Sequence, residues 1–485
     1  MQLIVKLFPE ITIKSSPVRR QMVRHLAQNL SRLIKPLDAA FRLERDWDKI
    51  IIHSTVTGPG ACSRMVQLLT STPGVAQVLE VEEFPLTDID ALAGHVLDVL
   101  GDALNGQRFA VRCKRAGRSH GFNSLEVERT VGAALVASGK TGRVDLTNPE
   151  LTVRVEVRDD RVFVVKAKHR GLGGFPLGSV EPVLSLMSGG FDSAVSSFLT
   201  MKRGMRTHFL FFNLGGHAHE IAVKEVALYL WLRYGASHRV LFITVPFEGV
   251  VAEILERVND SQMGVVLKRC MLRAAERIAL ELEVPALVTG ESVAQVSSQT
   301  LTNLAVIDRV TPMLVLRPLI AMDKGDIIDI ARRIGTEPFS RHMPEYCGVI
   351  SKGPTTCAKL PRIEREEASM DAGVLEAAIA ARRMVSIDAL ADDLKTPVAI
   401  PETAIIHQGD RVLDIRHPAE CDVRPSGVAD EQYLAIPFYE LHRRVDELDR
   451  TQRYWLYCER GVMSRLHAGH LQEQGFTRAG VYRPE

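Results

Sequence analysis

The first apolar run, QLIVKL (residues 2–7), is short and nearly continuous, and in the segment RRQMVRHLAQNLSRLI after it apolar residues recur three and four apart. The first pattern predicts a strand and the second an amphipathic helix. AFRLERDWDKIIIHST then reads as strand, ACSRMVQLLTS as helix and VAQVLEVEEF as strand. This is the β-α-β-β-α-β order of a ferredoxin-like unit. A second small α/β unit is predicted from a helix over 88–104, the strand RFAVRCKR, a helix over 124–138 and the strands LTVRVEVR and RVFVVKAK. The Gly- and Pro-rich segment HRGLGGFPLGSVEP (169–182) reads as a domain boundary.

From residue 183 the texture changes. Continuous apolar runs (VLSLM, HFLFFNL, RVLFITV and PALVTG) alternate with helical stretches of 10–20 residues. Strands without polar alternation are buried on both faces, so these runs predict a doubly wound parallel sheet. Residues 363–395 are charged and helical and read as a connector, and a last α/β block starts near 402 with AIIHQGDRVLDIR. At 485 residues the chain is long enough for three or four domains. The fold class is therefore α/β multidomain.

Charge alters the picture through its distribution. The net charge is only +1, but residues 1–180 hold 25 Lys and Arg against 19 Asp and Glu, a balance of +6 that leaves −5 for the rest. A basic N-terminal third hints at a polyanionic partner. No apolar run approaches the roughly 20 residues that span a bilayer. The opening MQLIVKLFPEITIK reads as a strand rather than a leader, so export is not expected and no membrane partner is implied. The seven cysteines (62, 113, 270, 347, 357, 421 and 458) are odd in number and form no CxxC pair, which argues against a disulfide scaffold or a zinc site.

The densest chemical signal is VLSLMSGGFDSA, an apolar strand running straight into Ser188-Gly189-Gly190-Phe191-Asp192-Ser193 before a helix. Two glycines let a turn bring backbone N–H groups close to an anion, and the hydroxyls and helix N-terminus complete a phosphate nest. Asp192 can hold Mg²⁺ on a pyrophosphate, while the missing Gly-Lys-Ser/Thr end excludes a Walker A loop. VTGESVAQVSSQTLTNL (288–304) fits the mouth of the same sheet. There Gln299 and Asn303, four apart, either face one site or belong to a capped polar helix. Five Lys and Arg fall in residues 108–118, and on a strand Arg112 and Lys114 share a face. That edge either reaches phosphates or deters strand pairing. Cys347 lies in a Pro/Gly-bounded segment, and Cys458 tips a strand in LYCERGVMSRL. A loop of convergent N–H groups beside a helix start lowers a thiol's pKa and can host a persulfide.

The stretches SGGFDS, FFNLGG, QMGVVLKR, VTGESVAQVSSQTLTNL, MPEYCGVISK and CERGVMSRL together make the chain resemble the tRNA 4-thiouridine synthase (ThiI) family, in its long form, over essentially the whole length. The resemblance implies four domains: ferredoxin-like over 1–62, THUMP over 63–168, a Rossmann-like PP-loop ATP pyrophosphatase domain over 177–395, and a rhodanese α/β domain over 402–485. It implies ATP and Mg²⁺ as cofactors and adenylation of the uridine at tRNA position 8, with sulfur then displacing AMP. Carried over, Ser188, Gly189, Gly190, Asp192 and Ser193 cradle the phosphates and metal, and Leu186 and Met187 line the nucleotide. Lys268, Gly290 and Gln299 complete the ATP contacts, and Arg112, Lys114 and Arg115 meet the tRNA acceptor stem. Cys458 matches the thiol that takes persulfide sulfur from a cysteine desulfurase, and that persulfide either attacks the activated uridine or is cleaved to release sulfide beside it. Cys347 matches the resolving thiol that closes a disulfide with Cys458, which a cellular thiol reductant reopens. Such members work in the cytoplasm and can also supply the sulfur-carrier protein of thiamine thiazole synthesis.

Two features depart from the pattern. Many single-domain rhodaneses carry arginines after the cysteine where this chain has Glu459 and Met463, so the loop reads as a persulfide relay rather than a thiosulfate:cyanide transferase. Cys357, ten residues after Cys347, matches no family role. The rival readings are a rhodanese-type sulfur carrier without tRNA thiolation, and a THUMP module serving another thiolation, such as 2-thiolation elsewhere in the tRNA.

Overall fold

Leu3, Ile4 and Val5 of the opening run have no solvent exposure in a computed structural model of the chain, where they form β1 (Gln2–Leu7). The structure describes residues 1–117, 121–214, 216–341, 353–390, 400–416, 421, 423–441, 444–458 and 461–484. They fall into two units, Met1–Pro176 and Leu177–Glu485.

In the first unit, helix α1 (Ser16–Ile34), strands β2 (Arg42–Arg45) and β3 (Lys49–His53), helix α2 (Pro59–Thr70) and strand β4 (Val75–Pro85) follow β1 in the order the apolar pattern predicts. The fourth strand ends at residue 85, past the expected domain limit at 62. Helix α3 (Ile89–Leu104), strand β5 (Phe109–Ala116), helix α4 (Ser124–Ala137) and strands β6 (Leu151–Arg158) and β7 (Arg161–Arg170) complete the unit. β4 pairs antiparallel with β1 on one side and β7 on the other. The two halves therefore share one seven-stranded sheet, ordered β2-β3-β1-β4-β7-β6-β5. Leu26 and Leu30 of α1 close one half of its core over Leu3 and Val5. Val131 and Leu135 of α4 close the other over Phe109 and Val153.

The second unit contains two sheets. The larger is ordered β12-β11-β8-β9-β10-β13, made of β8 (Val180–Leu186), β9 (Met205–Asn213), β10 (Leu241–Pro246), β11 (Ala286–Val288), β12 (Leu314–Leu316) and β13 (Arg383–Ser386). The first five are parallel, as their unbroken apolar runs predict. As far as residue 390, its last described residue, the segment 363–395 is not a plain helical connector. Helices α11 (Leu360–Ala368) and α12 (Ala372–Ala380) lead into β13, which pairs antiparallel with β10 and caps the sheet edge. Helices α5 (Phe191–Lys202), α6 (Gly216–Leu230), α7 (Glu248–Arg257), α8 (Met263–Glu281), α9 (Leu301–Asp308) and α10 (Lys324–Ile334) lie between. The chain winds outward through β8, β9 and β10, then returns to place β11 on the other side of β8. That reversal opens a crevice at the carboxyl ends of β8 and β11, where open α/β sheets bind ligands.

The smaller sheet is all parallel and ordered β14-β18-β17-β15-β16. Its strands are β14 (Glu402–Thr403), β15 (Arg411–Asp414), β16 (Tyr433–Ala435), β17 (Tyr454–Tyr457) and β18 (Gly480–Tyr482), with helix α13 (Val462–Glu473) after β17. Among the described residues no helix is long and apolar enough to cross a membrane.

Candidate active site

The turn between β8 and α5 has the geometry of an anion cradle. Gly189 has φ +82°, a region open to glycine and strained for other residues. The Ser193 hydroxyl stitches the turn closed: it donates to the Gly190 carbonyl at 3.0 Å and accepts from the Ser188 N–H at 3.2 Å. His219 Nε2 lies 3.1 Å from the Ser188 carbonyl, so that nitrogen carries the proton, and the Ser340 hydroxyl donates to the Gly189 carbonyl at 2.9 Å. Burial holds the His219 pKa below its ordinary value, which favours the neutral ring. With the carbonyls of 188, 189 and 190 engaged, planar trans peptides turn the N–H groups of Gly189, Gly190 and Phe191 the opposite way. Gly190 is the N-cap of α5 and supplies no side-chain cap. The first-turn donors of that helix are thus left for a ligand.

Around the turn lies a cleft of about 450 Å³. Leu186, Met187, Phe211, Val265, Met271 and Ile307 make one wall apolar, and Asp192, Lys268, Gln295, Gln299 and Lys324 supply polar groups. Gly290 closes the cleft floor. A Cβ there would sit 2.7 Å from the Asp192 carbonyl carbon, so a larger residue would push the end of β11 off the turn. Gln299 is 8% exposed, and its Oε1 has no hydrogen-bond partner among the described residues. A buried, orphaned acceptor on a cleft wall marks a place for a ligand donor. Asn303 does not join it. Fully buried, it donates to the carbonyls of Ser297 and Thr355 at 2.8 Å and accepts from the Ala358 N–H, clamping loop to helix.

Two side chains that no local pattern marks meet Asp192. Lys324, first residue of α10, donates to both Asp192 oxygens at 2.9 and 3.1 Å, and Gln295 Nε2 donates to Oδ2 at 2.8 Å. Gln295 lies inside the polar stretch 288–304, whereas Lys324 is a lone lysine in AMDKGD. Lys268 Nζ donates to Glu291 at 2.7 Å. The arrangement can seat a polyphosphate on the turn and a flat apolar group against the apolar lining. It also sets two cations, Lys268 and Lys324, where negative charge would collect.

Cys458 follows β17 and is 9% exposed. Its Sγ accepts the Ser464 N–H, in the first turn of α13, at 3.3 Å. Gly461 turns the chain into the helix at φ +72°. At the end of the neighbouring strand β15, Asp414, with no exposure, takes a two-point grip from Arg416 at 2.9 and 2.6 Å and a hydrogen bond from the Tyr433 hydroxyl at 3.0 Å. The Arg416 guanidinium lies 4.9 Å from the ring centre of Tyr457, the residue before the thiol. Burial together with Asp414 pushes the Tyr433 hydroxyl up to about 12. Cys347 lies outside the described residues. Cys357 is exposed, and its N–H donates to the Thr355 hydroxyl at 3.2 Å.

In the first unit Arg112 and Lys114 share a face of the edge strand β5. Arg112 is partly engaged, donating to the Val111 and Leu146 carbonyls at 3.1 and 3.0 Å, while Lys114 is exposed. Arg115, on the other face, stacks over Phe122 at 5.1 Å. Between them burial raises the Cys113 thiol pKa to about 11, which disfavours the thiolate.

Residues 178–372 match the family model described as Thiamine biosynthesis protein (ThiI), and residues 87–165 match the THUMP domain. The chain is 52% identical over 484 residues to the tRNA sulfurtransferase of Pseudomonas fluorescens (strain Pf0-1), covering 100% of both chains. It is 52% identical to that of Azotobacter vinelandii, again covering 100% of both. Among solved structures it is similar to a 4-thiouridine synthetase–RNA complex with bound ATP, with TM-score 0.69 and 26% identity over 80% of this chain and 99% of that one. PH1313 from Pyrococcus horikoshii Ot3 shares the fold, with TM-score 0.54 and 17% identity over 69% of this chain and 100% of that one. With a phosphate-type turn, an orphaned cleft acceptor and full-length relatives of one kind, the chain belongs to the tRNA sulfurtransferase (ThiI) family.

Proposed function

We propose that this chain uses ATP to make 4-thiouridine at position 8 of tRNA. The observation that carries the reading is the turn Ser188–Ser193 with Asp192 gripped by Lys324 and Gln295 beside an apolar-walled cleft. A carbonyl oxygen of uracil is a poor leaving group. In the first step O4 attacks the α-phosphorus of ATP, pyrophosphate leaves, and the oxygen becomes part of a good leaving group, AMP. Leu186 and Met187 hold the base of ATP, the turn residues Ser188, Gly189, Gly190 and Ser193 hold its phosphates, and Gly290 and Gln299 complete the seat. Lys268 and Lys324 offset charge on the phosphoryl oxygens. Mg²⁺ suits the donor set, since one carboxylate with phosphate oxygens and water is its usual shell, and when bound it neutralises pyrophosphate charge. Asp192 would hold it.

Sulfur comes second. Cys458, in a rhodanese domain over 402–485, takes sulfur as a persulfide from a cysteine desulfurase. The terminal sulfur of that persulfide attacks C4 of the uridine and expels AMP. Cys347 then attacks the Cys458 sulfur, releasing thiouridine and leaving a Cys347–Cys458 disulfide. A cellular thiol reductant supplies two electrons to reopen it. What supports the relay is the Ser464 N–H on the Cys458 Sγ, since N–H donation from a helix start stabilises a sulfur anion. Arg112, Lys114 and Arg115, within a THUMP domain over 63–168 beside a ferredoxin-like domain over 1–62, contact the tRNA backbone. The PP-loop domain spans 177–395. The setting is cytoplasmic, and the same persulfide can serve the thiamine sulfur-carrier protein.

The test supplies purified protein with unmodified tRNA, Mg-ATP, cysteine, a cysteine desulfurase and a reductant, and follows the near-ultraviolet absorbance of thiouridine. Wild type should thiolate the tRNA, and Cys458→Ala and Asp192→Ala should both fail. Persulfide on Cys458 with no tRNA product would instead leave a sulfur carrier.

A further inference from the structure

Behind Lys268 stands a line of alternating charges that the reaction above does not use. Lys268 Nζ donates to Glu291 Oε1 at 2.7 Å. Glu291 Oε2 accepts from Arg317 Nε at 2.7 Å and from the Thr289 hydroxyl at 3.1 Å. Arg317 in turn forks both terminal nitrogens onto Asp308. The Glu291 and Arg317 side chains are only 10% and 11% exposed. A charge is costly to bury without partners, and each of these has two. Burial alone would push the Glu291 carboxyl up, but Lys268 and Arg317 outweigh it and hold its pKa at about 2. At neutral pH the group is a carboxylate.

Its placement is equally constrained. Glu291 follows Gly290, and a Cβ on Gly290 would collide with Asp192 and Ser193. The carboxylate that grips Lys268 is thus fixed to the strand end that seats the phosphate turn. A lysine ammonium rides a flexible four-carbon stem with three donors, so one fixed acceptor aims it and leaves two donors for a ligand. A lone carboxylate beside the ammonium would cancel its charge and repel phosphate. Arg317 cancels that carboxylate. The last member, Asp308, is 41% exposed on its side chain and screened by water, and unlike Lys268 and Glu291 it does not line the cleft. The buried end of the line is therefore net positive.

We infer that Glu291 is the positioning residue of the ATP site, holding the Lys268 ammonium toward the polyphosphate while Arg317, braced by Asp308, keeps Glu291 from repelling it. The inference rests on reading the cleft as an ATP site. Titration calorimetry on the full chain, with ATP and with adenosine, tests both. Glu291→Gln keeps shape and loses charge, and it should weaken ATP by about 10- to 100-fold, the range seen when a group that orients a metal-binding side chain is lost. Adenosine, which has no phosphate for Lys268 to meet, should bind as before. In a Lys268→Ala background Glu291→Gln should cost little more, because the two act as one unit. Should Glu291→Gln not fold, Asp308→Asn at its half-exposed position carries the same test, with a smaller loss for ATP and none for adenosine. Equal weakening of ATP and adenosine, or penalties that multiply in the double variant, would make Glu291 a structural residue and overturn the inference. Wild-type binding of both ligands with an unchanged Glu291→Gln variant overturns it alone, and wild type that binds neither overturns the ATP reading with it.

Discussion

Asp192 has three jobs that compete for two oxygens: taking Lys324, taking Gln295 and facing a ligand. The Lys324 side chain is 40% exposed, so its ion pair adds little to stability, and its position at the cleft argues for chemistry. Lys324→Ala should slow tRNA thiolation by about 100-fold or more while leaving the melting temperature nearly unchanged. Single-turnover thiolation and a thermal melt check this, and a normal rate would remove Lys324 from the site. Glu291 supplies a pH dependence. Its carboxyl sits at about 2 in the fold against an ordinary 4.5, so the folded state favours the ionised form. The stability gained, about 3 kcal/mol, is fully present above pH 4.5 and drains away as pH falls toward 2. Urea unfolding of the second unit between those limits should show this slope in wild type and lose it in Glu291→Gln. The turn Ser188–Ser193 was legible because its glycines and hydroxyls act within six adjacent residues. Of the two readings open for Gln299 and Asn303, the capped polar helix holds for Asn303: its N–H donates to the Thr300 cap of α9, and the short 3₁₀ turn Ser297–Gln299 ahead of that helix takes Gln299 off its face.

Helix α6 starts near the turn Ser188–Ser193 and α13 just after Cys458, and their side chains meet. Glu225 of α6 lies 3.3 Å from Nε2 of His467 on α13, and both are nearly fully buried. Burial pushes the Glu225 carboxyl well above its usual range. A carboxyl raised in the fold stabilises it below its ordinary pKa, and that contribution is lost as pH rises toward the folded value. Glu225→Gln, which keeps shape and a hydrogen-bond donor without charge, should therefore match or exceed wild type in melting temperature at pH 8. A drop of several degrees would mean that the ionised carboxylate is the stabilising form. Element order was legible for the strands because burial on two faces demands unbroken apolar residues. The edge strand β13 was not, because RMVS is short, half-polar and preceded by helix, and only pairing with β10 makes it a strand.

Across the whole molecule charge is unevenly spread, +6 in residues 1–180 and −5 in the remainder, and the basic N-terminal third fits the proposed tRNA contact. Exposed Lys114 on the edge strand β5 should contribute one phosphate contact. Lys114→Ala is expected to weaken tRNA binding without sequence preference and to lower the salt slope of log K by about one. Filter binding from low to moderate salt measures it, and an unchanged slope would return Lys114 to a solvated strand edge. The sequence by itself determined the α/β class, most element positions, the phosphate turn and the thiol after β17, because periodicity, glycine requirements and strand-to-helix turns operate over neighbouring residues. Only tertiary structure brought Lys324 to Asp192 across 132 residues, Gln295 to it across 103, and Arg317 to Glu291 across 26. Ion pairs leave no local period in a chain, since a lone charged residue reads the same on a solvated surface as in a site. Packing of the sheet and its helices decides which of them meet.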